Sequence, residues 1–125
     1  MDIETGGRGC VLAVRGELDI DSCVQVYEAM DVVLAATPLP QIVVVDCSTL
    51  RFCDSSGLNA LLRMHRRLAS HGSVLRMAAV PGSVRRVFTL TGLDQVIGLY
   101  GTVADASTFG AGEDGPSSAS ATSER

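Results

Sequence analysis

The sequence predicts one α/β domain, a sheet flanked by helices, and three observations carry that prediction. Apolar stretches alternate between β-type runs and helical spacings along the chain as far as Phe109. Ile42-Val43-Val44-Val45 is an uninterrupted apolar run, the pattern of a strand buried on both faces. Hydrophobic residues make up 46% of the 125 residues but aromatic ones only 4%, with no Trp, so the core must be built from Val, Leu, Ile, Ala and Met. This length suits one domain with its own core and is short for two.

Taken in order, Cys10 to Val14 reads as a strand that leaves the sheet at the glycine of Arg15-Gly16-Glu17-Leu18-Asp19. A weak strand around Ile3 is expected to pair with it through a Gly6-Gly7 turn. Asp19 or Ser22 then caps a helix in which Cys23, Val26, Tyr27, Met30, Val33 and Leu34 recur at helical spacing, and Pro38 and Pro40 stop it. The apolar strand from Ile42 ends at Asp46, and a short loop carrying Cys47 and Cys53 leads to Asp54-Ser55-Ser56-Gly57.

The next helix places Leu58, Leu61, Leu62, His65, Leu68 and Ala69 on one face, turns Asn59, Arg63, Arg66, Arg67 and Ser70 mostly outward, and closes at Gly72. Val74 to Val80 is a strand, and Pro81-Gly82-Ser83 opens a helix with Val84, Val87 and Phe88 inward that ends at Gly92. Val96 to Tyr100 makes a last short strand, and Val103 to Ala106 begins a final helical turn. The order is β-β-α-β-α-β-α-β without internal repeats. Beyond Phe109 the composition shifts to Gly, Ser, Ala, Thr and charge, so residues 110–125 are expected to be a disordered tail after a domain over 1–109.

Charge and composition exclude several functions. A net charge of -4 gives no reason to expect nucleic-acid binding, which calls for a basic surplus. No apolar run approaches the roughly 20 residues that span a bilayer, and Asp2 and Glu4 do not suit a signal peptide, so a soluble cytoplasmic protein with no membrane association is expected. Cys10, Cys23, Cys47 and Cys53 fit no zinc spacing and are expected to be reduced, packed thiols, with a redox role for Cys47 and Cys53 left open. His65 falls on the core-facing stripe and His71 at a helix end, which suits structural roles.

Asp54-Ser55-Ser56-Gly57 places two hydroxyls at a helix N-terminus, where unpaired N–H groups and the positive end of the helix dipole favour an anion or a phosphoryl group. The simplest explanation of such a sequence is a helix cap, worth roughly 0.5 to 2 kcal/mol. Asp19 and Asp46 likewise suit solvated turns at strand ends.

Four stretches in order resemble the STAS domain, the family named for sulfate transporters and anti-sigma-factor antagonists. They are Gly16-Glu17-Leu18-Asp19, Val43-Val44-Val45-Asp46, Phe52-Cys53-Asp54-Ser55-Ser56-Gly57-Leu58, and Val84-Arg85-Arg86-Val87-Phe88 with Thr91-Gly92-Leu93. The likeness runs from Ile3 to Ser107 and is to the free-standing bacterial antagonists. It implies a STAS-like single domain whose four- to five-stranded sheet is mixed but mostly parallel, with flanking helices. In that family the first serine of the Asp-Ser-Ser-Gly step is phosphorylated by an anti-sigma kinase. The resemblance therefore implies Ser55 as phosphoacceptor, with Asp19, Phe52, Asp54, Ser56, Gly57 and Asn59 as its surroundings and partner-binding residues.

The implied function is a binding switch in the bacterial stress response, not an enzyme. The unphosphorylated form binds a serine-kinase-type anti-sigma factor and releases a sigma factor, and phosphorylation switches binding off. A phosphatase is a further implied partner, and the chain needs no cofactor because the kinase supplies ATP and Mg. The alternative is a STAS adaptor subunit of a lipid or solute transport complex. Enzymatic readings fit the residues less well. There is no Gly-x-Ser-x-Gly elbow for a hydrolase, no Lys for a phosphoaspartate receiver, and no Gly-x-Gly-x-x-Gly after the first strand for a dinucleotide enzyme.

Overall fold

Strands that are neighbours in sequence are also neighbours in space. The computed structural model describes residues 2–6 and 9–108; Gly7 of the expected turn and the expected tail lie outside the described residues. β1 (Asp2–Gly6) runs antiparallel to β2 (Gly9–Leu18), and β3 (Ile42–Cys53), β4 (Val74–Ala78) and β5 (Gly98–Tyr100) follow in parallel, making one five-stranded sheet. Parallel neighbours need a crossover. Here α1 (Val24–Leu34), α2 (Ser55–Ser70) and α3 (Gly82–Thr91) supply it, and a single turn, α4 (Val103–Ala106), follows β5.

The uninterrupted apolar run is explained by two cores. Val43 and Val45 pack with Leu12, Val14, Leu75 and Met77 under Met30, Leu61, Met64 and Phe88 of the three long helices. Ile42 and Val44 point the other way and pack with Ala78 and with Ala106 of α4. On that rear face Arg76, only 3% exposed, donates from Nη1 to the carbonyls of Ala106 at 2.9 Å and Thr108 at 3.0 Å, and lies 5.3 Å from the Tyr100 ring centroid. A cation on the last carbonyls of α4 suits the negative end of that turn.

Two strands run further than the sequence suggests. β2 does not leave the sheet at Gly16; it passes through that residue, at φ +71, and continues to Leu18. β3 does not end at Asp46 but continues to Cys53, so the expected loop is strand paired with β2 through Thr49, Leu50, Phe52 and Cys53. Between Asp46 and Thr49, β3 uses three residues against two in β2, and between Leu50 and Phe52 it uses two against one. These bulges turn the usual alternation into burial at every third residue, Cys47, Leu50 and Cys53, which no period-2 pattern reveals.

The helices differ in detail. Asp19 and Ser22 hold the turn before α1 instead of capping it, because Asp19 Oδ1 accepts from the N–H groups of Asp21 and Ser22 and from the Ser22 hydroxyl. In α2 the buried stripe is Gly57, Ala60, Leu61, Met64 and Leu68; Leu58, Leu62 and His65 lie at its edge and Ala69 is exposed. In α3, Val84 and Phe88 are buried and Val87 is half-buried, and the helix ends at Gly92 with φ +80. The last two strands are shorter than expected, with β4 ending at Ala78 and β5 beginning at Gly98.

One junction positions the start of α2. Leu18 and Cys53 are registered partners at the ends of β2 and β3, and the Leu18 carbonyl accepts the Asp54 N–H at 3.1 Å. Gly57, one turn later, lies so close that a Cβ would sit 2.5 Å from Leu18 O, 2.7 Å from Leu18 Cβ and 2.9 Å from Cys53 Sγ. Only glycine allows the helix to begin flush against the strand ends.

The cysteines in β3 are buried and free. Burial, reinforced by Asp54, pushes the Cys53 thiol up to about 12, and burial, then Asp46 and Cys53, raises that of Cys47 further. Burial also raises Cys10, while Cys23 is half-exposed.

Gly57→Ala lowers unfolding free energy by about 1 to 3 kcal/mol in denaturant titration, the cost of overpacking. Gly82→Ala, where a Cβ meets nothing within 4 Å, leaves stability unchanged or raises it by up to about 1 kcal/mol. Because the thiolate is the reactive form, a maleimide at neutral pH labels Cys23 in the native protein and reaches Cys10, Cys47 and Cys53 only after unfolding, as peptide mapping would show.

Candidate functional site

Asp54 has extended backbone, φ -102 and ψ -170, and its Oδ1 accepts from the N–H groups of Ser56 at 2.9 Å and Gly57 at 3.2 Å. It is therefore the N-cap of α2 and satisfies donors the helix cannot pair internally. The Leu58 N–H donates to the Asp54 carbonyl at 2.9 Å, closing the first turn. Ser55 is the first helical residue and is exposed; Ser56 is half-buried and Gly57 buried. Successive residues turn by about 100° around a helix, so Ser55, Ser56 and Gly57 meet different surroundings.

Ser55 lines a hollow of about 210 Å³ with Leu58, Asn59 and Leu62 of α2, with Thr91 at the end of α3 and with Gly92, Leu93 and Val96 beyond it. Ser56 lines a hollow of about 430 Å³ with Asn59, Arg63 and Arg66 of α2 and with Ile20, Cys23 and Tyr27 beside and in α1. Asn59 borders both. The first residues of α2 thus form a ridge with a mainly apolar hollow on the Ser55 side and a cationic one on the Ser56 side.

Asp19 and Phe52 line neither hollow; Asp19 follows the end of β2, and Phe52 is the penultimate residue of β3. Asp19 follows Leu18 as Asp54 follows Cys53, so the two acids extend a registered pair at the carboxyl ends of parallel strands, where α/β sheets hold ligands. Hydrogen bonds hold the Asp19 carboxyl below its ordinary value, the largest from the Ser22 N–H and then from the Ser22 hydroxyl. Phe52 is 50% exposed, and Ile20, beside Asp19 and in the lining on the Ser56 side, is 75% exposed. Arg51 and Glu17 make an exposed ion pair at 3.2 Å, which contributes little to stability.

The structure brings Asp54, Ser55, Ser56, Gly57 and Asn59 together as the sequence suggests, and it adds neighbours the sequence did not link to them. Thr91-Gly92-Leu93 carried part of the family resemblance, yet nothing in its pattern placed it against Ser55. Arg63 and Arg66, expected to face mostly outward, fall four and seven residues after Asn59, the helical spacing that puts all three on one side.

Neither hollow is lined by a histidine. His65 lies ten residues after Ser55, about 15 Å along the helix. It is half-buried, its pKa lowered by burial and then by Arg66. The His71 ring lies on the Arg67 carbonyl, Nδ1 to O 2.9 Å, at the C-terminal end of α2. Among the described residues, no group of three or more His, Cys, Asp or Glu could hold a metal ion, and no helix is long and apolar enough to cross a membrane.

Comparison with known proteins places this architecture. A family model described as "Mlab, STAS domain" matches residues 1–100. The anti-sigma-F factor antagonist RsfB of Mycobacterium tuberculosis is 34% identical over 99 residues, 78% of each chain. Among solved structures, an anti-sigma factor antagonist from Mycobacterium paratuberculosis matches with 30% identity and a TM-score of 0.73, covering 83% of this chain and 86% of that one. The antagonist SpoIIAA in its unphosphorylated form shares the fold, with a TM-score of 0.70 at 23% identity over 84% of this chain and 90% of that one. With the one antiparallel and three parallel strand pairs, the order of helices and the capped serine pair of the motif all in place, this chain belongs to the STAS domain family.

Proposed function

We propose that this chain is an anti-sigma-factor antagonist, a binding switch that acts through the start of α2. The single observation that carries the reading is the placement of Ser55, an exposed hydroxyl at the first position of a capped helix, on the rim of an apolar hollow. The names of the mycobacterial relatives support the antagonist role.

In this reading the unphosphorylated ridge docks on an anti-sigma factor with serine kinase activity, displacing a sigma factor. The kinase transfers the γ-phosphoryl group of its ATP to Ser55 Oγ, the hydroxyl proton leaves to solvent, and ADP remains with the kinase. A phosphatase returns the switch to its binding form, and the chain works in the cytoplasm without a cofactor of its own. In this reading Ser55 Oγ is the hydroxyl that attacks the γ-phosphorus, while the base and the nucleotide belong to the kinase.

The charge added by phosphorylation decides the outcome. A phosphoserine carries about -1.5 to -2 at neutral pH, and the helix N-terminus tolerates it, with stabilisation of about 0.3 to 1 kcal/mol for an anion there. In the complex the same charge lies on an apolar rim beside the Asp54 carboxylate and must be desolvated, so binding is lost while the fold persists.

Incubation with the host's kinase-type anti-sigma factor and ATP is expected to add one phosphoryl group, which mass spectrometry maps to Ser55. Ser55→Ala binds that partner within about threefold of wild type and resists switching off. Ser55→Asp unfolds within a few degrees of wild type but binds at least about tenfold more weakly, a loss of about 1.4 kcal/mol. Phosphate found only between Ser117 and Ser123, or copurification from the host with membrane transport subunits in place of an anti-sigma factor, would overturn the reading.

A further inference from the structure

The hollow on the Ser56 side has a chemistry of its own. Ser56, Asn59, Arg63 and Arg66 fall at spacings of three and four on α2, and Ile20, Cys23 and Tyr27 face them from the turn before α1 and from α1 itself. The lining contains two guanidinium groups, a phenol, an amide and a hydroxyl, and no carboxylate. Among the described residues neither Arg63 nor Arg66 has an ion-pair partner. The Arg63 guanidinium carbon lies 6.0 Å from the Tyr27 ring centroid, within reach of the ring face across the hollow. In a chain of net charge -4, two uncompensated cations gathered in one concavity are a local reversal of sign.

We propose that this hollow receives an acidic segment of the anti-sigma partner, with carboxylates paired to Arg63 and Arg66 and an apolar neighbour resting on the exposed Ile20. The inference rests on the antagonist reading and specifies the partner's chemistry. Guanidinium groups match carboxylates in a two-pronged geometry, and a volume of about 430 Å³ has room for more than one acidic side chain. The hollow shares Asn59 with the Ser55 side, so one partner seated on the ridge reaches both. An anionic membrane is disfavoured as occupant, since a flat negative surface would meet the chain's net negative charge as well as these two cations.

The test measures affinity of the full chain for the kinase-type anti-sigma factor from low to physiological ionic strength. Arg63→Glu/Arg66→Glu is expected to weaken binding about tenfold or more and to flatten its salt dependence. Arg63→Gln/Arg66→Gln, which introduces no repulsion, shows a smaller loss in the same direction and serves if the reversed pair does not fold. Arg85→Glu/Arg86→Glu on exposed positions of α3 changes net charge equally and is expected to stay within about threefold of wild type. If wild type binds and the Arg63/Arg66 variants bind as tightly, the inference is overturned while the antagonist reading stands. An equal loss in both reversed pairs would reduce the effect to net charge and overturn it too, as would cosedimentation with anionic vesicles that only the Arg63/Arg66 variants lose. If wild type does not bind the anti-sigma factor at all, the antagonist reading falls first.

Discussion

The contact between Gly57 and the carbonyl of Leu18 is the constraint on which the rest of the site depends. Because no side chain intervenes, α2 starts against the ends of β2 and β3, and the Asp54 N–H reaches the same carbonyl at 3.1 Å. With Asp54 fixed, its carboxylate caps the next two free N–H groups and sets the rotation of the first turn. That rotation sends Gly57 into the core, Ser56 toward α1 and Ser55 toward the end of α3. A helix displaced outward by the width of a methyl group would present the same sequence with both hollows reshaped.

How much of this the sequence reveals depends on how local each cause is. The start of α2 is legible because a cap is decided by a few consecutive residues, and Asp54 followed by two serines and a glycine carries that chemistry openly. The far half of β3 is not, because its bulges arise from register with β2 and make Cys47, Leu50 and Cys53 the buried set. The stripe of α2 is misplaced by about one position for a different reason. Leucines at 58 and 62 weigh more on any hydrophobic scale than Gly57 and Ala60, but it is these small residues that let the helix lie close to the sheet. The division of Ser55 from Ser56 could not be read at all, since it depends on α1 and on the chain after α3, neither of which is near them in sequence.

The two faces of the sheet are covered unequally, and this shapes where function can reside. Three helices bury one face over a large apolar core, while a single turn closes part of the other with Arg76 as its tie. The serine ridge is built where the well-supported face meets the carboxyl ends of the strands. Its backbone is held by the sheet, by Asp54 and by the core beneath Leu61, so exposed side chains can be varied without loosening the platform.

Asn59 is a party wall between the two hollows. A bulkier residue at that position would crowd both chambers together, and a smaller one would merge them into a single trough, so neither can be remodelled alone from there. One hollow can be altered without the other only from the outer margins, at Val96 or Leu62 on one side and at Tyr27 or Arg66 on the other.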